Sequence, residues 1–301
     1  MRVCVCVPAK NEEARLPVLL DALVRQREID RLAVVICLNN TRDRSRQRID
    51  AMSATYAGRL DVVVDECDFP PALAHAGSAR RRAMDIGLAQ LGGDGLLVTT
   101  DADARPPDDW IATSLAAVAA GAEIVGGRLT LDEDEPVSEA LTAARALCDR
   151  YWHRVRAIED AIDPRSWDPA PRHGDHTGAS LAITASLYSA AGGVPLLASG
   201  EDRALVAAAV IAGGRLRHHP DVWTRVSARR QGRAEGGMAG AMAELEARGA
   251  PRLPHFSHWR ERSVWRREYR RRSDEPSVWR AEAALPSMPC DMELATMDAI
   301  S

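Results

Sequence analysis

Two aspartates spaced one apart, Asp101 and Asp103, follow a short apolar run in VTTDADARPPDDW, residues 98–110. Carboxylates so placed can hold a hard divalent cation, which shares its remaining positions with phosphate and water. Such a cation neutralises charge developing on a leaving diphosphate. Acidic pairs at strand ends also serve as helix caps or solvated turns, and the pair alone does not choose between these roles. A second candidate is Pro8-Ala9-Lys10-Asn11-Glu12-Glu13, where an apolar run gives way to helical spacing. Asn11 can cap that helix, and the glutamates suit its positive end. The same turn offers backbone N–H groups and a carboxylate to a nucleotide base and ribose. It lacks the glycines of a dinucleotide fingerprint or a P-loop, which disfavours ordinary NAD and ATP folds. A third candidate is Gly200-Glu201-Asp202-Arg203, ahead of the apolar stretch 204–212. Acidic residues stabilise a helix N-terminus, and one facing a bound hydroxyl is a general base.

These residues need elements to position them. Apolar runs at Val3–Val7, Ala33–Leu38, Asp61–Val64 and Leu96–Thr99 alternate with helical spacing over Glu13–Arg27, Arg44–Tyr56 and Ser78–Leu91. That alternation predicts βαβ units, an α/β fold with a central, mainly parallel sheet flanked by helices. Active sites in such sheets lie beyond the carboxyl ends of the strands, which is where Pro8–Glu12, Asn39–Thr41, Glu66–Phe69 and Asp101–Asp103 fall. Helices are expected at Asp108–Ala120, Val137–Ile162 and Glu201–Ala212, and strands at Ile124–Leu131, Leu181–Ile183 and Arg215–His218. Residues 163–178, rich in Pro, His and Asp, read as a loop. The expected organisation is a domain over residues 1–250, with a nucleotide-binding half to about 130 and an acceptor-binding half beyond. A tail follows at 251–301.

The 301 residues include 39 basic and 43 acidic side chains, a net charge of −4, so no positive field advertises nucleic acid. Lys10 is the single lysine; the other basic residues are arginine. Cys4, Cys6, Cys37, Cys67, Cys148 and Cys290 show no zinc-like spacing and read as buried, reduced thiols. Neither a signal peptide nor an apolar run of membrane-spanning length is present, and a cytoplasmic protein is expected. The arginines of residues 252–280, interleaved with Trp259, Trp265 and Trp279, suit a helix packing its Trp faces on the body. They would also suit peripheral contact with an anionic membrane or binding of a phosphorylated substrate.

Taken in order, VPAKNEE, NNTRDRS, GSARRRA, DADA, GASLAI, GGVPLLASGEDRAL and VSARRQGRAEGG resemble the family 2 glycosyltransferases of GT-A fold, soluble bacterial type, from Val3 to Gly237. The resemblance implies a GT-A-like, Rossmann-related fold and a hexosyltransferase-type enzyme. It would move a sugar from a nucleotide diphosphate sugar to an unidentified acceptor hydroxyl, with a divalent metal, Mg or Mn, usually inverting. By the same resemblance, Asp103 binds metal and Asp101 meets metal or ribose. Pro8, Ala9, Lys10, Asn11, Glu12, Asn39 and Arg80 face the nucleotide sugar. Asp202 is the acceptor base, with Glu201 its acceptor-orienting neighbour, and His218 stands where relatives place a third metal ligand. Two departures stand out. Leu38-Asn39-Asn40 replaces the pair of aspartates that many members carry, so an amide with both donor and acceptor reads the base. The QxxRW segment of processive synthases is absent, leaving Arg229, Arg230 and Arg233 to clamp the diphosphate or an anionic acceptor. Single addition fits that pattern. The alternatives are a non-catalytic nucleotide-sugar or glycan-binding descendant, a sugar-nucleotide pyrophosphorylase and a retaining transferase. His173-x-x-His176 reads as a polar loop or a second metal site.

Overall fold

The computed structural model describes residues 1–229, 232 and 237–299. The first half alternates strand and helix: β1 (Val3–Ala9), α1 (Leu16–Val24), β2 (Leu32–Asn39), α2 (Ser45–Thr55), β3 (Leu60–Cys67), α3 (Ala76–Leu91) and β4 (Leu96–Thr99). The order continues with β5 (Ala104–Arg105), α4 (Trp110–Ala119), β6 (Ile124–Leu131), α5 (Glu139–Ile162), β7 (Leu181–Thr184) and α6 (Ala185–Ala190). It ends with α7 (Glu201–Ile211), β8 (Leu216–Val226), α8 (Met238–Arg248), α9 (Phe256–Arg270) and α10 (Glu275–Ala283). These strands form one curled sheet of order β3-β2-β1-β4-β7-β6-β8-β5. Its first four strands run parallel, β7 lies antiparallel between β4 and β6, and β6 and β8 are parallel.

Strand β1 is buried throughout, and its alternation divides the core. Val3, Val5 and Val7 face α1 and α4, while Cys4 and Cys6 face α3 with Ala79, Ala83 and Met84. Gly87 allows that second contact, because a Cβ there would stand 2.7 Å from the Cys6 sulfur. Trp110 closes the first layer, with its indole N–H donated to Ser180 Oγ at 2.9 Å.

Two sequence expectations change in ways that bear on the site. Asn11 does not cap α1, which starts at Leu16 without a side-chain cap. It turns the chain in a left-handed conformation (φ 54°) and accepts the Arg42 N–H at 2.8 Å. The late strand expected at Arg215–His218 runs on to Val226, and Val226 pairs with Ala104 of β5. That pairing carries Arg229 to the aspartate pair.

The Arg/Trp-rich stretch is helical and docks on α5. Trp259 donates its indole N–H to the Tyr151 hydroxyl at 2.6 Å, and Tyr151 donates to Pro254 O at 2.7 Å. Arg266 pairs with Glu159 at 2.7 Å, and Arg270 pairs with Asp163. These contacts turn aromatic faces and several arginines inward. Among the described residues no helix is long and apolar enough to cross a membrane.

The loop at 163–178 is held by a buried polar chain. Asp168, fully shielded, accepts the His218 backbone N–H at 2.8 Å and its Nδ1–H at 2.9 Å. His218 Nε2 meets His176 Nδ1 at 3.1 Å, and His173 Nε2 meets His219 O at 3.0 Å. Burial would raise Asp168, but the His218 hydrogen bond and the nearby charges hold it down to about 2. Burial, with His218 alongside, pushes His173 and His176 down from 6.5 to about 4. Both are neutral in the folded chain and protonate on unfolding below pH 6.5, so stability is lost as pH falls from 6.5 towards 4. Thermal unfolding followed across that range should show a falling midpoint. Replacing both histidines with glutamine should flatten the slope.

Candidate active site

A cavity of about 720 Å³ opens at the carboxyl ends of the central strands. Pro8, Ala9, Lys10, Glu12, Asn39, Arg80, Asp101, Asp103, Glu201, Asp202 and Arg229 all line it. Residues as far apart in the chain as Pro8 and Arg229 thus line one space.

The floor is the turn after β1. The Glu12 N–H is donated to Ser45 Oγ at 2.9 Å and the Glu13 N–H to Asp43 at 3.0 Å, which anchors the turn to the start of α2. Beside it, Asn40 takes a left-handed conformation (φ 45°) and exchanges hydrogen bonds with the Phe69 backbone at 3.0 and 3.2 Å. This frees Asn39 to face the cavity. The Asn39 amide N–H is donated to His75 O at 3.1 Å, while its Oδ1 is buried without a partner. A buried unpaired acceptor is costly, so the position is suited to a donor on a bound molecule.

Arg80 is the hub of the site. Its guanidinium, 4% exposed, donates to Glu201 at 3.1 Å, Thr99 Oγ1 at 2.7 Å, Gly178 O at 2.8 Å and Asp101 at 2.8 Å. The resemblance placed Arg80 against the nucleotide and Glu201 against the acceptor. Both line the cavity, where they pair with each other, and most of the guanidinium's donors are taken by protein. Gly178 makes this possible, since a Cβ there would overlap the guanidinium. The Gly178 N–H is donated to Asp202 Oδ2 at 2.7 Å, and Asp202 Oδ1 accepts the Arg203 N–H at 2.7 Å. The Asp202 carboxylate is therefore oriented at both oxygens and still borders the cavity.

Asp103 stands 3.0 Å from Arg229, which also grips Glu12 with two bonds of 2.8 Å. Burial, then the charge of Asp101, raises Asp103 to about 6 despite that arginine. Asp101 and Asp103 both present carboxylate oxygens to the cavity, so the donor set fits a hard divalent metal. No three-ligand set forms here among the described residues. Magnesium-type sites of this kind draw on one or two carboxylates and complete themselves with substrate phosphate and water. His218 does not join the aspartates. Both its ring nitrogens are engaged, by Asp168 and His176, and it does not line the cavity. Arg230 and Arg233 lie outside the described residues.

Sequence reasoning missed Thr99, Thr177 and His75, which border or brace the cavity. Only their places beside VTTDADA, GASLAI and GSARRRA hinted at them. Arg80→Met leaves Glu201 buried without its partner, and the expected loss of unfolding free energy is about 3–5 kcal/mol. Urea denaturation measures it; a loss under about 1 kcal/mol would mean that Glu201 is solvated and the hub carries little.

Structural relatives share this architecture. TarS from S. aureus, solved in complex with UDP-GlcNAc, is 15% identical with a TM-score of 0.56, covering 90% of this chain and 73% of that one. The mannosyltransferase PcManGT from Pyrobaculum calidifontis, in complex with GDP-Man and Mn2+, is 18% identical with a TM-score of 0.54, covering 99% and 80%. At these identities the likeness shows the GT-A fold. No curated protein matches the sequence. Residues 4–160, over half of the chain, match the profile of glycosyl transferase family 2, and the chain belongs to that family.

Proposed function

We propose that this glycosyltransferase moves one hexosyl group from a nucleotide diphosphate sugar to an acceptor hydroxyl, with inversion and with a divalent metal. The observation that carries the reading is the shared cavity, where Asp103 and Asp202 line one space and Arg80 bridges their neighbours Asp101 and Glu201. The turn at 8–12 and Asn39 would receive the nucleoside, with the free Asn39 Oδ1 accepting from the base edge. Lys10 borders the same space and adds a cation for the phosphates. Asp101 and Asp103 would hold Mg2+ or Mn2+, which supplies charge neutralisation at the leaving diphosphate.

In a single displacement the acceptor oxygen attacks the anomeric carbon as the bond to the diphosphate breaks. The hydroxyl proton passes to Asp202, a general base that two backbone N–H groups hold in place. Glu201 is committed to Arg80 and acts as a positioning residue. With one oriented carboxylate on the acceptor side, inversion is favoured over a double displacement, which needs a nucleophile as well. One transfer per encounter fits a chain without the QxxRW segment of processive synthases.

The test is release of nucleoside diphosphate from UDP-, GDP- and TDP-sugars with Mn2+ or Mg2+, over an acceptor panel. Asp202→Asn is expected to lower kcat by about 10²–10⁴ with the donor KM nearly unchanged. Asp103→Ala should weaken donor binding as well. Full activity in Asp202→Asn would remove that residue from the mechanism.

A further inference from the structure

Cysteine spacing along the chain gives no hint of a metal site, yet the register of the sheet builds a cluster of ligands. Strands β2 and β3 are parallel, with Cys37 opposite Asp65 and Asn39 opposite Cys67. Two sulfurs and a carboxylate therefore converge at the carboxyl end of this strand pair. Cys67 Sγ lies 3.1 Å and Cys37 Sγ 3.7 Å from Asp65 Oδ2, and all three ligand atoms fall within 4.8 Å of one another. Among the described residues this is the one cluster of three such ligands.

We propose that Cys37, Asp65 and Cys67 bind one soft divalent cation of the zinc class, at a site separate from the sugar-transfer cavity. A tetrahedral zinc with ordinary bond lengths sets sulfur and oxygen ligands about 3.6 Å apart and two sulfurs about 3.8 Å apart. The observed sulfur–oxygen separations bracket that edge, so small side-chain rotations complete the set. Water would take the fourth position on the half-exposed side, where Cys67 and Asp65 lie.

Charge accounts for the neighbour. Arg82 grips Asp65 with bonds of 2.5 and 2.9 Å. Two thiolates and Asp65 carry three negative charges, and the cation with Arg82 carries three positive ones, so the loaded cluster is neutral. Arg82 then orients the carboxylate ligand from outside the coordination sphere. Burial, and then the Asp65 charge on Cys37 and its hydrogen bond on Cys67, raises both thiols. Each sulfur accordingly sheds one proton to solvent as its bond to the metal forms.

The site has a structural consequence. The Cys67 carbonyl accepts the Asn40 N–H at 2.8 Å, and the chain beyond it supplies Pro71, Ala72, Ala74 and His75 to the cavity wall beside Asn39. A cation clamping β2 to β3 at this point would brace the side of the cavity assigned to the base.

Cobalt reports on it directly. The full chain, dialysed against EDTA and kept reduced, is titrated with CoCl2 while the near-ultraviolet thiolate-to-cobalt charge-transfer band is followed. Carboxylate sites such as Asp101 and Asp103 give no such band. The expected result is saturation at one equivalent, displacement by ZnCl2, loss in Cys37→Ala and Cys67→Ser, and retention in Asp103→Asn. Arg82→Gln is expected to weaken binding by about 10–100-fold. No band in the unaltered chain, or a band that survives in both cysteine variants, would overturn the proposal. Should the variants fail to fold, the unaltered chain still decides. Zinc should shield Cys67 from iodoacetamide in peptide mass spectra, and equal labelling with and without zinc would refute the site.

Discussion

A guanidinium removed from water between two carboxylates sets the geometry of everything around it. Desolvating Arg80 costs several kcal/mol, and the cost is met only if every partner holds its place. Those partners are Asp101 beyond β4, Glu201 at the start of α7, Thr99 and the Gly178 carbonyl. Asp101 belongs to the candidate metal pair, and Glu201 precedes the candidate base. One buried cation thus fixes the separation between the donor chemistry and the acceptor chemistry. Gly178 serves both sides, receiving Arg80 on its carbonyl and offering its N–H to Asp202.

The far side of the aspartate pair has a different character. Arg229 reaches Asp103 and Glu12 from beyond β8 and is partly exposed, whereas Arg80 is enclosed. Even with Arg229 in place, burial and Asp101 keep Asp103 high, to about 6. Two carboxylates, Asp101 and Asp103, thus border one space, each paired with a different arginine. Their convergence on one cavity, more than their spacing in the chain, is the physical argument for a cation at this point.

Much of this was legible in the chain. The apolar runs around Val5, Val35 and Val98 became β1, β2 and β4, because fully buried parallel strands need little else. Asp101 and Asp103 were visible because they follow an apolar strand, and Asp202 because it follows a turn at the start of a helix. Long-range pairing was not legible. Nothing local indicates that Arg80 meets Glu201, or that β8 continues through Pro220 to reach β5. Asn11 and Asn40 read as capping or base-reading residues, yet both spend their side chains on backbone turns. His218 was placed by its position near the end of an expected strand. The strand runs on past it, and its ring is held by Asp168. Cys37 and Cys67 meet because parallel register aligns strands that are distant in sequence, and spacing rules for a single metal-binding turn do not capture that.

In the proposed function a nucleoside diphosphate binds with its phosphates at the aspartate pair and its base beside Asn39. Anomalous diffraction from crystals of the full chain grown with Mn2+ and UDP or GDP tests it most directly. The expected result is a manganese peak between the Asp101–Asp103 carboxylates and the diphosphate, with the base in reach of Asn39 Oδ1. A manganese peak remote from both aspartates, or a nucleotide bound outside the turn at 8–12, would contradict it.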